Sequence, residues 1–255
     1  MSAYKALLVL ALAKYGFVCN ETCGFKLVEN SRKSNRAEIK EHLRYDPCFK
    51  EIGRKLLRAF GYINDYVLDV GCGLGEYTKI VEPRCKAIIG VDVKNIFGSI
   101  GITPKFHFIQ ADGFRLPFKD KSFGRVISLD VIEHVSDDAN FMLEIKRVLK
   151  NGASLIIGTP NSRRLAHILK SLVGKSVRYP LYLGENKVHG KCVHVKEYSR
   201  RELYHVLKQT GFDEINIEGV WLGLRLKYAV GITSFPKFLE EHAQYWLATA
   251  KKPNI

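Results

Sequence analysis

Short apolar runs alternate with segments of helical spacing along most of this chain. The apolar runs predict buried strands at residues 67–70, 87–91, 106–110, 126–129, 154–158, 213–220 and 243–250. Helical spacing predicts helices at residues 36–60, 76–81, 138–149 and 199–209. Strands that alternate with helices indicate βαβ units. We therefore expect an α/β fold with a doubly wound, mostly parallel sheet and helices on both faces.

Two segments fall outside this alternation. Residues 1–60 are predicted to form an N-terminal helical appendage, with 61–255 as the main domain. The apolar run at 6–13 is shorter than the ~20 residues that span a membrane, and we interpret it as a packed helix rather than a signal peptide. Residues 161–198 begin as a helix and then lose periodicity. This segment is predicted to be a lid or a substrate-binding insertion.

Composition fits one large globular domain with an appendage. Of the 255 residues, 46% are hydrophobic and 26% are charged, which excludes a disordered, collagen-like or coiled-coil chain. The 6 cysteines are scattered and form no C-x-x-C pair. Reduced thiols and a cytoplasmic location are therefore expected.

The charge is unevenly distributed. The formal net charge is +14, and the excess of Lys and Arg lies on both flanks of a nearly neutral middle, most densely at residues 163–201. A basic surface attracts phosphates of nucleic acids or lipids and small anionic substrates. A solvated face that only aids solubility is an equally weighted interpretation of the charge alone.

A glycine-rich turn follows the first predicted strand. That strand runs into Gly71-Cys72-Gly73-Leu74-Gly75, and a helix begins directly afterwards. Glycines allow a sharp turn and a close approach to a ligand, and the helix offers unpaired N–H groups. The G-x-G-x-G spacing differs from the dinucleotide fingerprint G-x-G-x-x-G. Asp69, two residues before the first glycine, would repel a pyrophosphate but not a sulfonium or an ammonium.

Two further acids end the next two strands. Asp92 ends the second predicted strand, where a carboxylate can accept both hydroxyls of a ribose. Asp112 follows the third strand and precedes Gly113, at a position suited to an exocyclic amine such as that of adenine. Ligands of open α/β sheets bind at the carboxyl ends of the strands. Three acids at successive strand ends favour a neutral or cationic nucleoside.

From these residues onward the sequence resembles the class I S-adenosylmethionine-dependent methyltransferases, over roughly residues 60–220. The order and spacing are similar to the type-eleven, ubiquinone-biosynthesis-like branch. The resemblance rests on the following segments: Val67 to Gly75, Val91-Asp92, Ala111-Asp112 with Leu116-Pro117-Phe118, Phe123 to Val135, Leu149 to Ala153, and Thr159-Pro160-Asn161. It implies a seven-stranded sheet with the last strand antiparallel.

The resemblance also implies S-adenosylmethionine as cofactor and a set of residues around it. Asp69 and the glycine loop would lie at the methionine end, together with Leu129 and Asp130. Asp92, with Val93 next to it, would bind the ribose side, and Asp112 with Gly113 the adenine. The cofactor-binding set is therefore Asp69, Gly71, Cys72, Gly73, Gly75, Asp92, Val93, Asp112, Gly113, Leu129 and Asp130.

A general base is needed only for a poorly ionised acceptor. His134, just after the fourth strand, is the candidate catalytic base, although a helix-capping or loop-orienting role is the simpler interpretation. Glu133 is a weaker candidate on the substrate side. His189, Cys192 and His194 form an H-x-x-C-x-H pattern, but one short cluster lacks a fourth ligand. We interpret His189 and His194 as lid residues near the acceptor and expect no metal.

The favoured function is methyl transfer to a small-molecule or lipid-like, anionic acceptor, with O-methylation preferred. An RNA methyltransferase is the main alternative, supported by the basic flanks, although the Asn/Asp-Pro-Pro-aromatic motif of many base amino-methylases is absent. A non-catalytic S-adenosylmethionine-binding partner protein is the second alternative. A nicotinamide-dependent dehydrogenase is disfavoured by the glycine spacing. The oligomeric state and the acceptor atom are left open.

Overall fold

A seven-stranded sheet forms the centre of the computed structural model, which describes residues 46–94, 103–186, 190–225 and 229–254. Its strands follow the spatial order β3-β2-β1-β4-β5-β11-β8, and β11 is antiparallel to both of its neighbours. The strands are β1 (Ile63–Val70), β2 (Cys85–Asp92), β3 (Phe106–Gln110), β4 (Phe123–Leu129), β5 (Leu149–Pro160), β6 (Leu181–Asn186), β7 (Gly190–His194), β8 (Asp213–Val220), β9 (Leu222–Arg225), β10 (Ala229–Ile232) and β11 (Tyr245–Lys251). The predicted doubly wound, mostly parallel sheet with its last strand antiparallel is confirmed.

Helices cover both faces of this sheet. They are α1 (Pro47–Phe60), α2 (Glu76–Val81), α3 (Asp138–Val148), α4 (Leu165–Leu172) and α5 (Arg200–Gln209), with single 3₁₀ turns at Glu82–Arg84, Ile132–His134 and Lys237–His242. Apolar residues of α3 and α5, such as Phe141 and Leu203, pack on one face of the sheet. Ile52 and Leu56 of α1 pack on the other face. Ser199 and Glu202 form a capping box at the start of α5.

The strand order reverses between β2-β1 and β4. The chain enters the sheet at β1, moves outward through β2 and β3, and then returns to place β4 on the other side of β1. The loops after β1 and β4 therefore diverge to opposite faces and open a crevice at the carboxyl edge. This edge is where the sequence predicted the ligand site.

The described part of the predicted N-terminal helix begins at Pro47. Residues 36–45 lie outside the described residues, as do the apolar run at 6–13 and most of the predicted appendage. Asp46 caps α1 by accepting hydrogen bonds from the amides of Cys48 and Phe49. Pro47 occupies the first helical turn, where its missing N–H has no cost. The Asp46-Pro47 pair lies inside the predicted helix at 36–60 and is the start of the described helix.

The fifth strand is longer than predicted. The predicted strand covers residues 154–158, whereas α3 ends at Val148 and β5 begins at Leu149. Gly152 has a φ of +72°, and its amide donates to the Lys252 carbonyl. The left-handed glycine therefore bends the strand instead of separating a helix from it. The last strand, in contrast, begins later than predicted, at Tyr245 rather than at residue 243.

The segment at 161–198 is more regular than its sequence indicates. It contains α4 and the antiparallel hairpin of β6 and β7. The alternation that would have predicted the hairpin is interrupted at Gly184, where the φ is +127° and the pairing register shifts. The short hairpin of β9 and β10 was also not predicted. Among the described residues no helix is long and apolar enough to cross a membrane.

Candidate active site

The loop between β1 and α2 depends on its glycines. Gly71, Gly73 and Gly75 have φ values of +75°, +50° and +74°, a region that other residues rarely adopt. A Cβ atom on Gly71 would lie 2.1 Å from Cγ2 of Val131. The amides of Gly71 and Cys72 donate to the carbonyl of Val91, at 2.7 and 3.0 Å. The loop is thus fastened to the end of β2.

Asp69 lies beneath this loop. Its side chain is buried, and one carboxylate oxygen accepts a hydrogen bond from the Thr78 hydroxyl of α2. Burial raises the pKa of Asp69 to about 7, although the Thr78 hydrogen bond opposes the shift and the charge of Asp92 adds to it. Asp69 therefore links β1 to α2 and helps to fix the conformation of the loop between them.

Asp92 stands at the end of β2 beside the loop. Its Oδ2 accepts from the Gly73 amide at 3.1 Å, and its Oδ1 accepts from the Lys94 amide at 2.9 Å. A carboxylate has about four lone-pair sites, so each oxygen can still accept a hydroxyl. The neighbouring Val93 is 64% exposed and offers an apolar surface next to these oxygens.

The ends of β3 and β4 border the same crevice. Ala111 donates to the Asp92 carbonyl at 3.0 Å, which places the β3 end directly beside β2. Asp112 is exposed, and its Oδ1 accepts from the Phe114 amide at 2.9 Å. Gly113 has no room for a side chain, because a Cβ atom there would lie 2.8 Å from the Phe141 ring. Asp112 is therefore at the surface, with its backbone packed on the core.

Asp130 is held in a left-handed conformation after β4. Its φ is +58°, and its amide donates to the Gly158 carbonyl at 3.0 Å. The preceding Leu129 is buried in the core that α1 covers. The Tyr77 hydroxyl lies 3.5 Å from Oδ2 of Asp130. Burial raises the pKa of Tyr245, at the start of β11, and the charge of Asp130 raises it further.

A second group of side chains lies on the far side of Asp130. Glu133 is buried, and its Oε2 accepts from the Thr159 hydroxyl at 2.9 Å. Burial raises the pKa of Glu133 well above its ordinary value, and the charge of Asp130 contributes. Nδ1 of His134 lies 2.8 Å from the Val193 carbonyl of β7. The amide of Val195 donates to the Glu133 carbonyl at 2.8 Å, so the hairpin is fastened to the turn after β4.

His194 belongs to this group through a buried carboxylate. Its Nδ1 lies 2.8 Å from Oε1 of Glu197, and Glu197 also accepts from Arg164 and from the Tyr179 hydroxyl. Burial alone would raise the pKa of Glu197, but the bonds from His194 and Arg164 outweigh it and lower the pKa to about 2. His189 lies outside the described residues, so its predicted role stays a prediction.

Comparison with known proteins identifies this arrangement. A type-eleven family described as "Methyltransferase domain" matches residues 68–157. A probable S-adenosylmethionine-dependent methyltransferase of Mycobacterium tuberculosis is 28% identical over 163 residues, which are 63% of this chain and 53% of that protein. These matches, together with the fold, support a class I S-adenosylmethionine-dependent methyltransferase domain in this chain.

Two further comparisons show how much of the chain resembles known proteins. Norajmaline N-methyltransferase of Rauvolfia serpentina is 34% identical over 115 residues, or 42% of this chain and 39% of that enzyme. The chain therefore spans about half or less of these curated relatives. A crystal structure of an S-adenosylmethionine-dependent methyltransferase from Thermotoga maritima superposes with a TM-score of 0.56, covering 84% of this chain and 96% of the other. At 18% identity, that likeness shows the fold.

The site of this methyltransferase fits S-adenosylmethionine, its cofactor. The glycine loop, Asp92 and Asp112 lie at three adjacent strand ends, and their acidic oxygens suit hydroxyl and amine donors rather than phosphates. Sequence analysis missed Thr78, Glu197 and Tyr245. Thr78 carries no motif signal, and Glu197 and Tyr245 become relevant only through contacts with segments distant in the chain.

The buried Asp69 gives a prediction about pH and stability. Because its pKa in the folded protein is near 7 and about 3.9 in an unfolded chain, the folded state retains the proton over this interval. The free energy of unfolding of the wild type should therefore fall, relative to Asp69→Asn, as pH rises from about 4 to about 7. Urea unfolding at several pH values measures the difference. Asp213→Asn, an exposed carboxylate, is the control, and parallel wild-type and Asp69→Asn curves would contradict the account.

Proposed function

We propose that this methyltransferase transfers the methyl group of S-adenosylmethionine to an oxygen of a small or lipid-like, anionic acceptor. The observation that carries the proposal is the set of exposed apolar side chains on α4, on the residue after it and on β6, with basic residues between them in the chain. Leu172 and Val173 are 75% and 69% exposed, and Tyr182 and Leu183 of β6 are also exposed. Lys170, Lys175 and Arg178 interleave with them. Apolar groups among cations favour an amphiphilic anion.

The cofactor would be held by the three strand ends. Asp92 would accept the ribose hydroxyls while its bonds to Gly73 and Lys94 keep the carboxylate oriented. Val93 would contact the nucleoside, and Asp112 with Gly113 would adjoin the adenine. When bound, the cofactor supplies a methyl group already activated by a positively charged sulfur.

The glycine loop would contact the methionine end. Gly71, Cys72, Gly73 and Gly75 form this wall in the proposal, with the Leu129-Asp130 backbone opposite. Asp69 would act through the loop, because its carboxylate is buried against Thr78. An ionised Asp69 would also attract the cationic cofactor from a short distance.

The acceptor would bind between Asp130 and the hairpin. Glu133, His134 and His194 border this side of the crevice, as the hydrogen bonds between the turn after β4 and β7 indicate. An anionic oxygen is already nucleophilic, so it needs no proton acceptor and requires mainly alignment with the methyl group. This argument favours O-methylation, while the N-methylation named for the Rauvolfia relative is the alternative outcome. The reduced thiols of Cys72, Cys85 and Cys192 support a cytoplasmic reaction.

The acceptor class can be tested by methyl labelling. Purified protein is incubated with methyl-labelled S-adenosylmethionine and an extract of its source cells, and RNA, protein, lipid and small-molecule fractions are separated. We expect label in the lipid or small-molecule fraction that is removed by mild base, as for a methyl ester. Label that disappears after ribonuclease treatment would contradict this assignment and identify RNA as the acceptor. Absence of label in every fraction would favour a binding protein without turnover.

Asp92 gives a direct prediction for cofactor affinity. Asp92→Ala removes a charged acceptor for two hydroxyls, which should weaken binding of S-adenosylhomocysteine by about 1–3 kcal/mol, or roughly 5- to 150-fold. Isothermal titration calorimetry measures the change. Asp213→Ala, which removes an exposed carboxylate paired with Lys208, should leave the affinity unchanged. An unaltered affinity of Asp92→Ala would remove Asp92 from the site.

A further inference from the structure

Three potential metal ligands meet where β7 contacts the turn after β4. His134, Cys192 and His194 each offer one ligand atom, and these atoms lie within 4.8 Å of one another. Cys192 and His194 are two residues apart in β7, so their side chains point to the same face of the strand. His134 lies 58 residues before Cys192 in the chain. In the cluster it is the second histidine, where the H-x-x-C-x-H pattern has His189.

Hydrogen bonds fix the orientation of both imidazoles. Nδ1 of His134 faces the Val193 carbonyl, and Nδ1 of His194 faces the Glu197 carboxylate, each at 2.8 Å. Both partners accept only, so each Nδ1 carries the proton, and each Nε2 retains a lone pair in the neutral ring. Metal-binding histidines almost always donate their other N–H to a carbonyl or carboxylate in this way.

An unpartnered acidic oxygen is the second, independent observation. Oε1 of Glu133 is buried and has no hydrogen-bond partner among the described residues, while Oε2 is held by Thr159. Oε1 lies 4.0 Å from Nε2 of His134. The buried Oε1 and the Nε2 of the partly exposed His134 each carry a lone pair, and a cation between them would stabilise this arrangement.

We propose that His134, Cys192 and His194 bind a Zn²⁺ ion, with Glu133 as the fourth ligand. Nitrogen and sulfur donors favour zinc over magnesium or calcium. On binding, the Cys192 thiol would lose its proton to solvent as the sulfur–zinc bond forms. A thiolate, a carboxylate and two neutral imidazoles would then balance the charge of the ion.

The site would connect the hairpin to the catalytic edge of the sheet. Zinc–ligand distances of about 2.0–2.3 Å require donor atoms about 3.3–3.8 Å apart in a tetrahedral site, so the hairpin would draw closer to the turn after β4. A ligated His134 has no lone pair left to accept a proton. The proposed metal site is incompatible with His134 as a general base, and it departs from the expectation of no metal drawn from the sequence.

Metal retention by the full-length protein tests the proposal. The protein is stripped with a chelator, dialysed against Zn²⁺ or Mg²⁺, freed of excess ion and analysed for bound metal. We expect one Zn²⁺ per chain and no retained Mg²⁺. With Co²⁺ in place of Zn²⁺, the wild type should show a thiolate-to-metal charge-transfer band that Cys192→Ser lacks. Failure to retain Zn²⁺ would overturn the proposal. A proton shared by Glu133 and His134 would then explain the short distance between their side chains.

Variants assign the ligands and separate this site from the cofactor site. Cys192→Ser and His134→Ala should each lower Zn²⁺ affinity at least about 100-fold, whereas His205→Ala, an exposed histidine of α5, should not. Wild-type zinc affinity in both ligand variants would overturn the assignment. Circular dichroism verifies folding. Titration of the zinc-free protein with S-adenosylhomocysteine reports on the cofactor site alone, so failure of either proposal is recognised independently.

Discussion

The hydrogen bond from the Thr78 hydroxyl to the buried Asp69 carboxylate is the contact on which the site depends. It joins the end of β1 to the first helix across a loop whose glycines adopt left-handed conformations. A second set of bonds, from Gly71 and Cys72 to the Val91 carbonyl, fastens the loop to β2. Together with the bond from the Gly73 amide to Asp92, these attachments position the loop relative to Asp92 and preorganise the proposed cofactor wall.

This loop and the hairpin divide the carboxyl edge of the sheet into two parts with different chemistry. On the β1–β3 side, acidic oxygens next to exposed backbone suit a nucleoside with a cationic sulfur. On the β4–β5 side, His134 and His194 are oriented by hydrogen bonds to Val193 and Glu197. Asp130 stands between the two parts. Methyl transfer across this boundary would require the acceptor to approach from the hairpin side, which accounts for the apolar and basic surface there.

The fold could be predicted because its signals are local, and the prediction of the cofactor side rests on signals of the same kind. The Gly71-to-Gly75 spacing and the acids at strand ends need only neighbouring residues and the rule that ligands bind at carboxyl edges. The acceptor side depends on long-range contacts. His134 meets Cys192 through a backbone bond to Val193, and no spacing within H-x-x-C-x-H indicates that partner. Gly152 and Gly184 lie within strands at positive φ, and their spacing in the sequence does not distinguish a bend in a strand from its end.

Cofactor selectivity tests the central claim most directly, because the acids at the strand ends should accept a sulfonium nucleoside and repel a pyrophosphate. The measurement is calorimetric titration of the wild-type protein with S-adenosylmethionine, S-adenosylhomocysteine and NAD under identical conditions. We expect one molecule of either adenosyl compound to bind per chain, and no detectable binding of NAD. Binding of NAD in preference to S-adenosylmethionine, or no binding of S-adenosylmethionine by the folded protein, would contradict it.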